Sequence, residues 1–314
     1  MMITLPSKAA EIIRNGEIVA IPTETVYGLA ADAFNFQAVM KTFQKKGRPA
    51  DNPLIVHISN MDQLKSIVIN PPKNTFTLAK AFWPGPLTLI LQKHANVPDI
   101  VTGGLTTVAV RMPDHPLTLE MIDLSGPVTA PSANRSGRPS PTRAEHVKID
   151  YMNSVPVMDG GISRIGVEST VLDLTTDKPV ILRPGAITAK MIQEKTGISV
   201  SVPGKIKLEN QGKSPGTRYT HYKPDATVEW FNKELDKLNS DSYYIFHTDL
   251  SLQTAPNALH YRGDFESMAR NLYDHFRTAD HLSYTNIVIE PLPVSHNSPL
   301  IPALLDRISK AMAK

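Results

Sequence analysis

The feature that most constrains this chain is a series of short apolar runs closed by turn-forming residues. EIVAIP (17–22), LIVHI (54–58), LTLILQ (87–92), TVAVR (107–111), TVLDL (170–174) and PVILR (179–183) are too short for buried helices and rich in β-branched residues, so they read as strands. Stretches with helical periodicity lie between them. Residues 7–15 form a helix that Ser7 can cap and Gly16 can end; a second starts after Asn35 and runs to about Lys46. Further helices fill 74–82, 116–123, 142–148 and 188–195. Strands and helices mixed in this way predict an α/β fold.

The character changes over 199–226. The segment SVPGKIKLENQGKSPGTRYTHYKPDA (201–226) is dense in Gly, Pro and Lys and has no apolar period, which marks a linker. After it TVEWF (227–231), SYYIFH (242–247) and TNIVIE (285–290) alternate with helical patterns. Phe265, Met268, Leu272 and Phe276 hold one helical face, as do Leu300, Leu304, Ile308 and Met312; such stripes are core. The expected division is a catalytic domain at 1–198, a linker or lid at 199–226 and a small α/β domain at 227–314. A length of 314 residues suits two domains of about 100–200 residues each.

Several function classes are disfavoured. There is no cysteine, so disulfides, thiolate metal sites and a Cys nucleophile are excluded. The N-terminal stretch lacks an apolar signal core, being interrupted by Glu11 and Arg14, and no apolar run approaches the roughly 20 residues of a membrane helix. A cytoplasmic location with no membrane segment is expected. No G-x-G-x-x-G occurs, and the GKS at 212–214 has Lys207 where a P-loop requires glycine. The histidines show no metal-ligand spacing. A net charge of +3 is low for a dedicated nucleic-acid binder. The basic stretch Lys41, Lys45, Lys46, Arg48 is, by itself, a solvated helix end.

Five loop segments stand out: 22–33, 45–58, 107–116, 129–142 and 166–170. Each is rich in hydroxyls, cations or Gly and Pro, and most flank an apolar strand. Strand ends of an open α/β sheet are where ligands bind, although any one of these loops alone is an ordinary turn.

PTETVYGL (22–29), Lys46-Gly-Arg48 followed by NPLIVHI (52–58), FWPGPLT (82–88), VAVRMP (108–113), APSAN (130–134), SGRPSPT (136–142), GVESTVLDL (166–174) and LRPG (182–185) resemble, in order, the segments of the YrdC-like threonylcarbamoyl-AMP synthase family. The resemblance covers about residues 10–190. SPGTRYTHYKPDA (214–226) is similar to the linker of that family's two-domain branch, with one departure: Thr220 stands where members commonly carry an arginine, and Arg218 or Lys223 is left to compensate. The resemblance implies a twisted open mixed sheet with helices, plus a smaller Rossmann-like α/β domain. It implies that L-threonine, bicarbonate and ATP give threonylcarbamoyl-AMP and pyrophosphate, with Mg2+ accompanying ATP. The product would pass to the threonylcarbamoyl-transferase machinery that modifies tRNA, and weak contact with tRNA itself is allowed.

The resemblance also distributes roles. Lys46, Arg48, Ser132 and Asn134 form a tetrad near the nucleotide phosphates, where a compact ammonium and a forked guanidinium can hold phosphate oxygens differently. Thr25, His57, Arg111, Ala130 and Ser169 fall at threonine-site positions. Arg48, Asn52, Thr107, Ser132, Ser140, Arg183 and Tyr222 fall at ATP-site positions, Tyr222 requiring the linker to fold back over the site. Each has an unremarkable alternative: a solvated pair for Lys46 and Arg48, turn residues for Ser132 and Asn134, strand-end surface charges for Arg111 and Arg183, a core histidine for His57, and a solvated linker aromatic for Tyr222. No magnesium ligand is assigned; Glu24, Asp51 and Glu168 are the carboxylates in these loops. Three rival readings stand beside it: an RNA-binding module, another ATP-dependent carbamoyl- or carboxyl-transfer enzyme of the same fold, and a non-catalytic regulator that retained the pocket, against which the intact Lys46, Arg48, Ser132 and Asn134 count.

Overall fold

A computed structural model describes residues 2–202, 221–232, 238–248, 255–293 and 297–313. Most of the linker, including Arg218 and Thr220 and the GKS at 212–214, lies outside the described residues.

The first sheet contains, among the described residues, β1 (Met2–Ile3), β2 (Val19–Ile21), β3 (Gly28–Asp32), β4 (Ile55–His57), β5 (Leu87–Gln92), β6 (Thr107–Arg111), β7 (Val128–Thr129), β8 (Val157–Met158), β9 (Thr170–Asp173) and β10 (Val180–Arg183). Their order is β1-β8-β2-β3-β7-β4-β6-β5-β9-β10. Pairings are mixed: β4 runs parallel to β6 and β5 parallel to β9, while β5 is antiparallel to β6 and β7 antiparallel to both β3 and β4.

The helices of this unit are α1 (Pro6–Arg14), α2 (Phe36–Lys46), α3 (Lys73–Phe82), α4 (Asp99–Thr102), α5 (Pro116–Ser125), α6 (Ala144–Tyr151) and α7 (Ala189–Thr196). Local chemistry sets their ends. The Asn35 side chain accepts from the amides of Gln37 and Ala38 at the start of α2, and Gly47 closes that helix in the left-handed region at φ 62°. Ser7 does not cap α1; Pro6 occupies its first turn, where the missing N–H costs nothing.

Side-chain alternation along the strands separates two faces. Val56, Leu89, Leu91, Val108, Val110, Leu172 and Ile181 join Val39 and Phe43 of α2, Leu78 and Phe82 of α3 and Ile192 of α7 in the main core. Ile55, Ile90, Ala109, Val171 and Leu182 form a thin apolar layer on the opposite face. His57 and Arg111 share the parity of Ile55 and Ala109, so they project on that second face. The site is built there.

A second sheet, all parallel, has the order β11-β14-β12-β13, with β11 (Thr227–Trp230), β12 (Ser242–Phe246), β13 (Ala258–His260) and β14 (Asn286–Ile289). It packs with α8 (Phe265–His281) and α9 (Ile301–Met312). Both predicted apolar stripes are core: Phe265, Met268, Leu272 and Phe276 of α8 are buried, as are Leu300, Leu304 and Ile308 at α9. The same cluster includes Val26 and Val167 from loops of the first sheet, together with Tyr222. The hydrophobic core of the second unit is therefore continuous with the loops that bear the motifs. No helix among the described residues is long and apolar enough to cross a membrane.

Candidate active site

The pairing of β4 with β6 sets the first half of the site. Their parallel register places His57 beside Arg111, both at carboxyl ends of strands. β7 then brings Ala130 next to β4, its amide donating to the Ile55 carbonyl at 3.2 Å. The 130–134 segment is pinned from the other side, where Leu29 donates to the Pro131 carbonyl and Ala133 to the Tyr27 carbonyl, each at 2.7 Å. A side chain at Gly28 would put its Cβ 3.0 Å from that of Ala130, so this close approach leaves little room for one.

Arg111 is buried, with each end of its guanidinium engaged. Nε donates to the Gly85 carbonyl at 3.2 Å, one Nη donates to Thr25 Oγ1 at 2.9 Å, and the other lies 2.5 Å from a buried Glu24 carboxylate oxygen. That last pair is close but not aligned as a hydrogen bond. With five N–H groups on the guanidinium, donors remain for a ligand while Glu24 fixes its orientation. His57 Nδ1 lies 3.2 Å from the Ile55 carbonyl. Burial, reinforced by the Arg111 charge, pushes the imidazole down to about 3. It is thus neutral at ordinary pH and serves as a hydrogen-bonding group, not as a cation.

The second half is built on β9 and β10. Arg183 donates through Nε and an Nη to the Ser169 carbonyl at 3.1 and 3.0 Å and to Ser169 Oγ at 3.1 Å. Thr88 and Ser169 hydroxyls are 2.8 Å apart. Tyr222 is buried at a left-handed φ of 68°, a conformation that a tyrosine holds only when its surroundings impose it. It stacks on Tyr273 of α8 with centroids 5.4 Å apart, and the Arg307 guanidinium lies 5.4 Å over its ring.

These halves face one cleft of about 610 Å³ including its open mouth, lined by Thr25, Arg48, His57, Arg111, Ala130, Ser132, Ser169, Arg183 and Tyr222 among others. Arg48, Arg111 and Arg183 bring three positive charges to it; among the described lining residues Glu168 is the carboxylate, and Glu24 is paired with Arg111. Both Glu168 oxygens are occupied: Oε1 accepts from Ser140 at 2.6 Å, and Oε2 from Tyr273 at 2.9 Å and Arg307 Nε at 2.7 Å. Burial works against its charge, yet the Arg307 and Arg183 charges and these hydrogen bonds prevail and hold it down at about 2.

The remaining residues singled out from sequence lie outside the lining. Lys46 is buried behind it, donating to the backbone carbonyls of Ser132 and, at 2.6 Å, of Asn134. Burial, then the nearby Arg48 charge, puts its pKa well below that of an ordinary lysine. Asn134 turns its side-chain amide to the Arg135 and Arg138 carbonyls at 2.7 and 2.9 Å. Asn52 and Ser140 are buried supports. Thr107 begins β6, four residues from Arg111 and so roughly 13 Å away along the strand. Asp51 is exposed.

Comparison with known proteins agrees with this geometry. The family model described as "Telomere recombination", Sua5/YciO/YrdC, matches residues 11–185, and that described as "Threonylcarbamoyl-AMP synthase, C-terminal domain" matches residues 187–313. A threonylcarbamoyl-AMP synthase of Bacillus subtilis (strain 168) is 42% identical over 97% of this chain and 92% of its own length. Another, of Pyrococcus abyssi, is 52% identical over 70% of this chain, a segment spanning 66% of that protein. The crystal structure of P. abyssi Sua5 complexed with L-threonine is similar over 99% of this chain and 97% of its own, with a TM-score of 0.89 at 40% identity.

The chain belongs to the threonylcarbamoyl-AMP synthase family. It is an enzyme of the nucleotidyltransferase type, forming an AMP-linked threonylcarbamoyl product for tRNA modification. The cleft also has a lining residue that the sequence reading did not single out. His221 lines the cleft beside Tyr222; burial and the Arg48 charge push it down to about 3. Its signal was available in the His221-Tyr222 dipeptide. Arg307 and Tyr273, which hold Glu168 from outside the cleft lining, carried none, being ordinary residues within amphipathic helices.

Proposed function

We propose that the cleft holds L-threonine and ATP side by side, with Thr25, His57, Arg111, Ala130 and Ser169 around the amino acid. Arg48, Asn52, Thr107, Ser132, Ser140, Arg183 and Tyr222 serve the nucleotide, and Lys46 and Asn134 complete the tetrad with Arg48 and Ser132. The threonine amine acquires a carboxyl group from bicarbonate or carbon dioxide. The carbamate oxygen then bonds to the α-phosphorus of ATP as the bond to pyrophosphate breaks. Nothing in that sequence requires a covalent enzyme intermediate. The protein's work is to align the carbamate with the phosphorus and to offset the charge that grows on the leaving phosphates.

The observation that carries the reading is the convergence of three arginines on one cleft, with Glu168, the one lining carboxylate among the described residues, fully committed. A carboxylate suits Arg111 and phosphates suit Arg48 and Arg183. Lys46 acts from behind: by holding the Ser132 and Asn134 carbonyls it shapes the loop that faces the nucleotide. Thr107 and Asn52 contribute at a distance.

The donor set does not suit a protein-held metal. No cluster of three His, Cys, Asp or Glu exists among the described residues, Glu168 is occupied and Glu24 faces Arg111. Magnesium enters with ATP, held by phosphate oxygens and water. The division at 1–198, 199–226 and 227–314, a cytoplasmic location and delivery of the product to a tRNA-modifying transferase belong to the same reading.

The test is pyrophosphate release with threonine, bicarbonate and ATP omitted in turn and the adenylate detected by mass. Release should require all three, and serine should replace threonine poorly. Release that ignores the amino acid would refute the assignment.

A further inference from the structure

Glu168 and Tyr222 line the cleft of the first sheet, yet the groups that hold them come from the far end of the chain. Arg307, on the last helix, is fully buried and 139 residues from Glu168 in sequence. Its Nε meets Glu168 Oε2 at 2.7 Å, one Nη donates to the Pro184 carbonyl at 3.1 Å and the other to Asp306. Tyr273, from α8, donates to the same Glu168 oxygen and stacks on Tyr222. Glu168 in turn takes the Ser140 hydroxyl. One guanidinium therefore fixes the carboxylate, covers the ring and grips the backbone just after Arg183.

On the reading of the cleft given above, we infer that Arg307 is a positioning residue for the nucleotide side. Through it the C-terminal unit sets the Glu168–Ser140 pair and the Tyr222 ring against which ATP lies, without touching substrate. On the threonine side, His57 and Arg111 stand on β4 and β6, whereas the partners described for Arg307 are Glu168, Pro184, Asp306 and the Tyr222 ring. Removing Arg307 leaves Glu168 with less counter-charge, that of Arg183, and that buried carboxylate then repels phosphates and competes with them for Arg183.

The test measures ATP and threonine affinities separately by calorimetry on Arg307→Met, Arg307→Lys and the double variant Arg307→Met with Glu168→Gln, alongside thermal melting. Arg307→Met should weaken ATP at least tenfold and threonine less than threefold. The double variant should recover at least a third of the lost ATP affinity on a logarithmic scale, because the repelling charge is gone. Should the methionine variant fail to fold, Arg307→Lys carries the same comparison: it keeps the charge, loses the fork and should weaken ATP alone. Equal loss of both ligands, or ATP affinity unchanged in a folded variant, overturns the inference. Binding is read independently of turnover, so a wild-type chain that binds ATP but releases no threonine-dependent pyrophosphate would sink the functional reading instead.

Discussion

The two sheets of this molecule treat their polar groups in opposite ways. At the strand ends of the first, Arg48, Arg111 and Arg183 meet at an open cleft. In the second, the polar groups are spent on one another. His275 lies between the Tyr243 and Tyr261 hydroxyls, and Glu290 takes the His247 and Thr248 amides at 2.9 Å each. The second unit also directs charge outward to the first. Arg277 of α8 grips Asp150 with both Nη atoms at 2.8 Å, and Asp274 meets Arg143 at 2.8 Å and His146 at 3.0 Å. Two α/β units of one chain thus differ in use: one presents a binding surface, and the other consumes its own polar groups and braces the first.

The sharpest way to break that contrast is to remove the brace. Truncation after residue 198 should expose Val26 and Val167, strip Arg307 and Tyr273 from Glu168, and reduce adenylate formation at least a hundredfold in the pyrophosphate assay. A truncated chain with full activity would show the first sheet to be self-sufficient.

Acid probes buried imidazoles in both units. His57 and His221 at the cleft are held down to about 3 and His275 in the second unit to about 4, burial being the largest cause in each. The unfolded chain takes up these protons near pH 6.5, so below that pH protonation favours unfolding. Their stability contribution is complete above about 6.5 and lost as pH falls toward the folded values. At pH 5 each should cost about 2 kcal/mol. Urea titrations should show that fall, and His275→Gln should flatten it; an unchanged slope would mean that this imidazole is charged in the fold.

A smaller effect isolates the seam itself. A Cβ at Gly166, where φ is +81°, would lie 2.3 Å from the Arg270 Cα of α8, whereas one at Gly104, also at +81°, meets nothing within 4 Å. Both alanine variants incur the left-handed penalty of roughly 1–2 kcal/mol. Gly166→Ala should cost about 1–3 kcal/mol more, seen as a lower urea midpoint. Equal losses would mean that α8 does not press on this loop.

Much of this architecture was legible in sequence, for physical reasons that also explain the failures. β5 and β6 fall at the boundaries read from LTLILQ and TVAVR because unbroken β-branched and apolar runs leave no other choice. Asn35 announced the start of α2, whose end at Lys46 also falls where it was expected. β3 was read as part of a loop: GLAAD is poor in strand formers, and it pairs only because β2 and β7 enclose it and small residues let Ala130 approach. The two-residue strands β1, β7 and β8 and the three-residue β13 are too short to carry a period. At the site, residues at strand ends stood out by type. Their partners did not, because Glu24 beneath Arg111 and Arg307 against Glu168 are set by tertiary packing over long separations.

The account rests on the two halves of the cleft being chemically distinct, one for a carboxylate and one for phosphates. Threonine and ATP affinities, measured separately on Arg111→Ala and Arg183→Ala, test this directly. Arg111→Ala should lose threonine at least a hundredfold and keep ATP within threefold, and Arg183→Ala should weaken ATP at least tenfold more than threonine, whose smaller loss reflects the Ser169 hydroxyl that Arg183 holds. Were both variants to weaken both ligands alike, the cleft would not be divided as described.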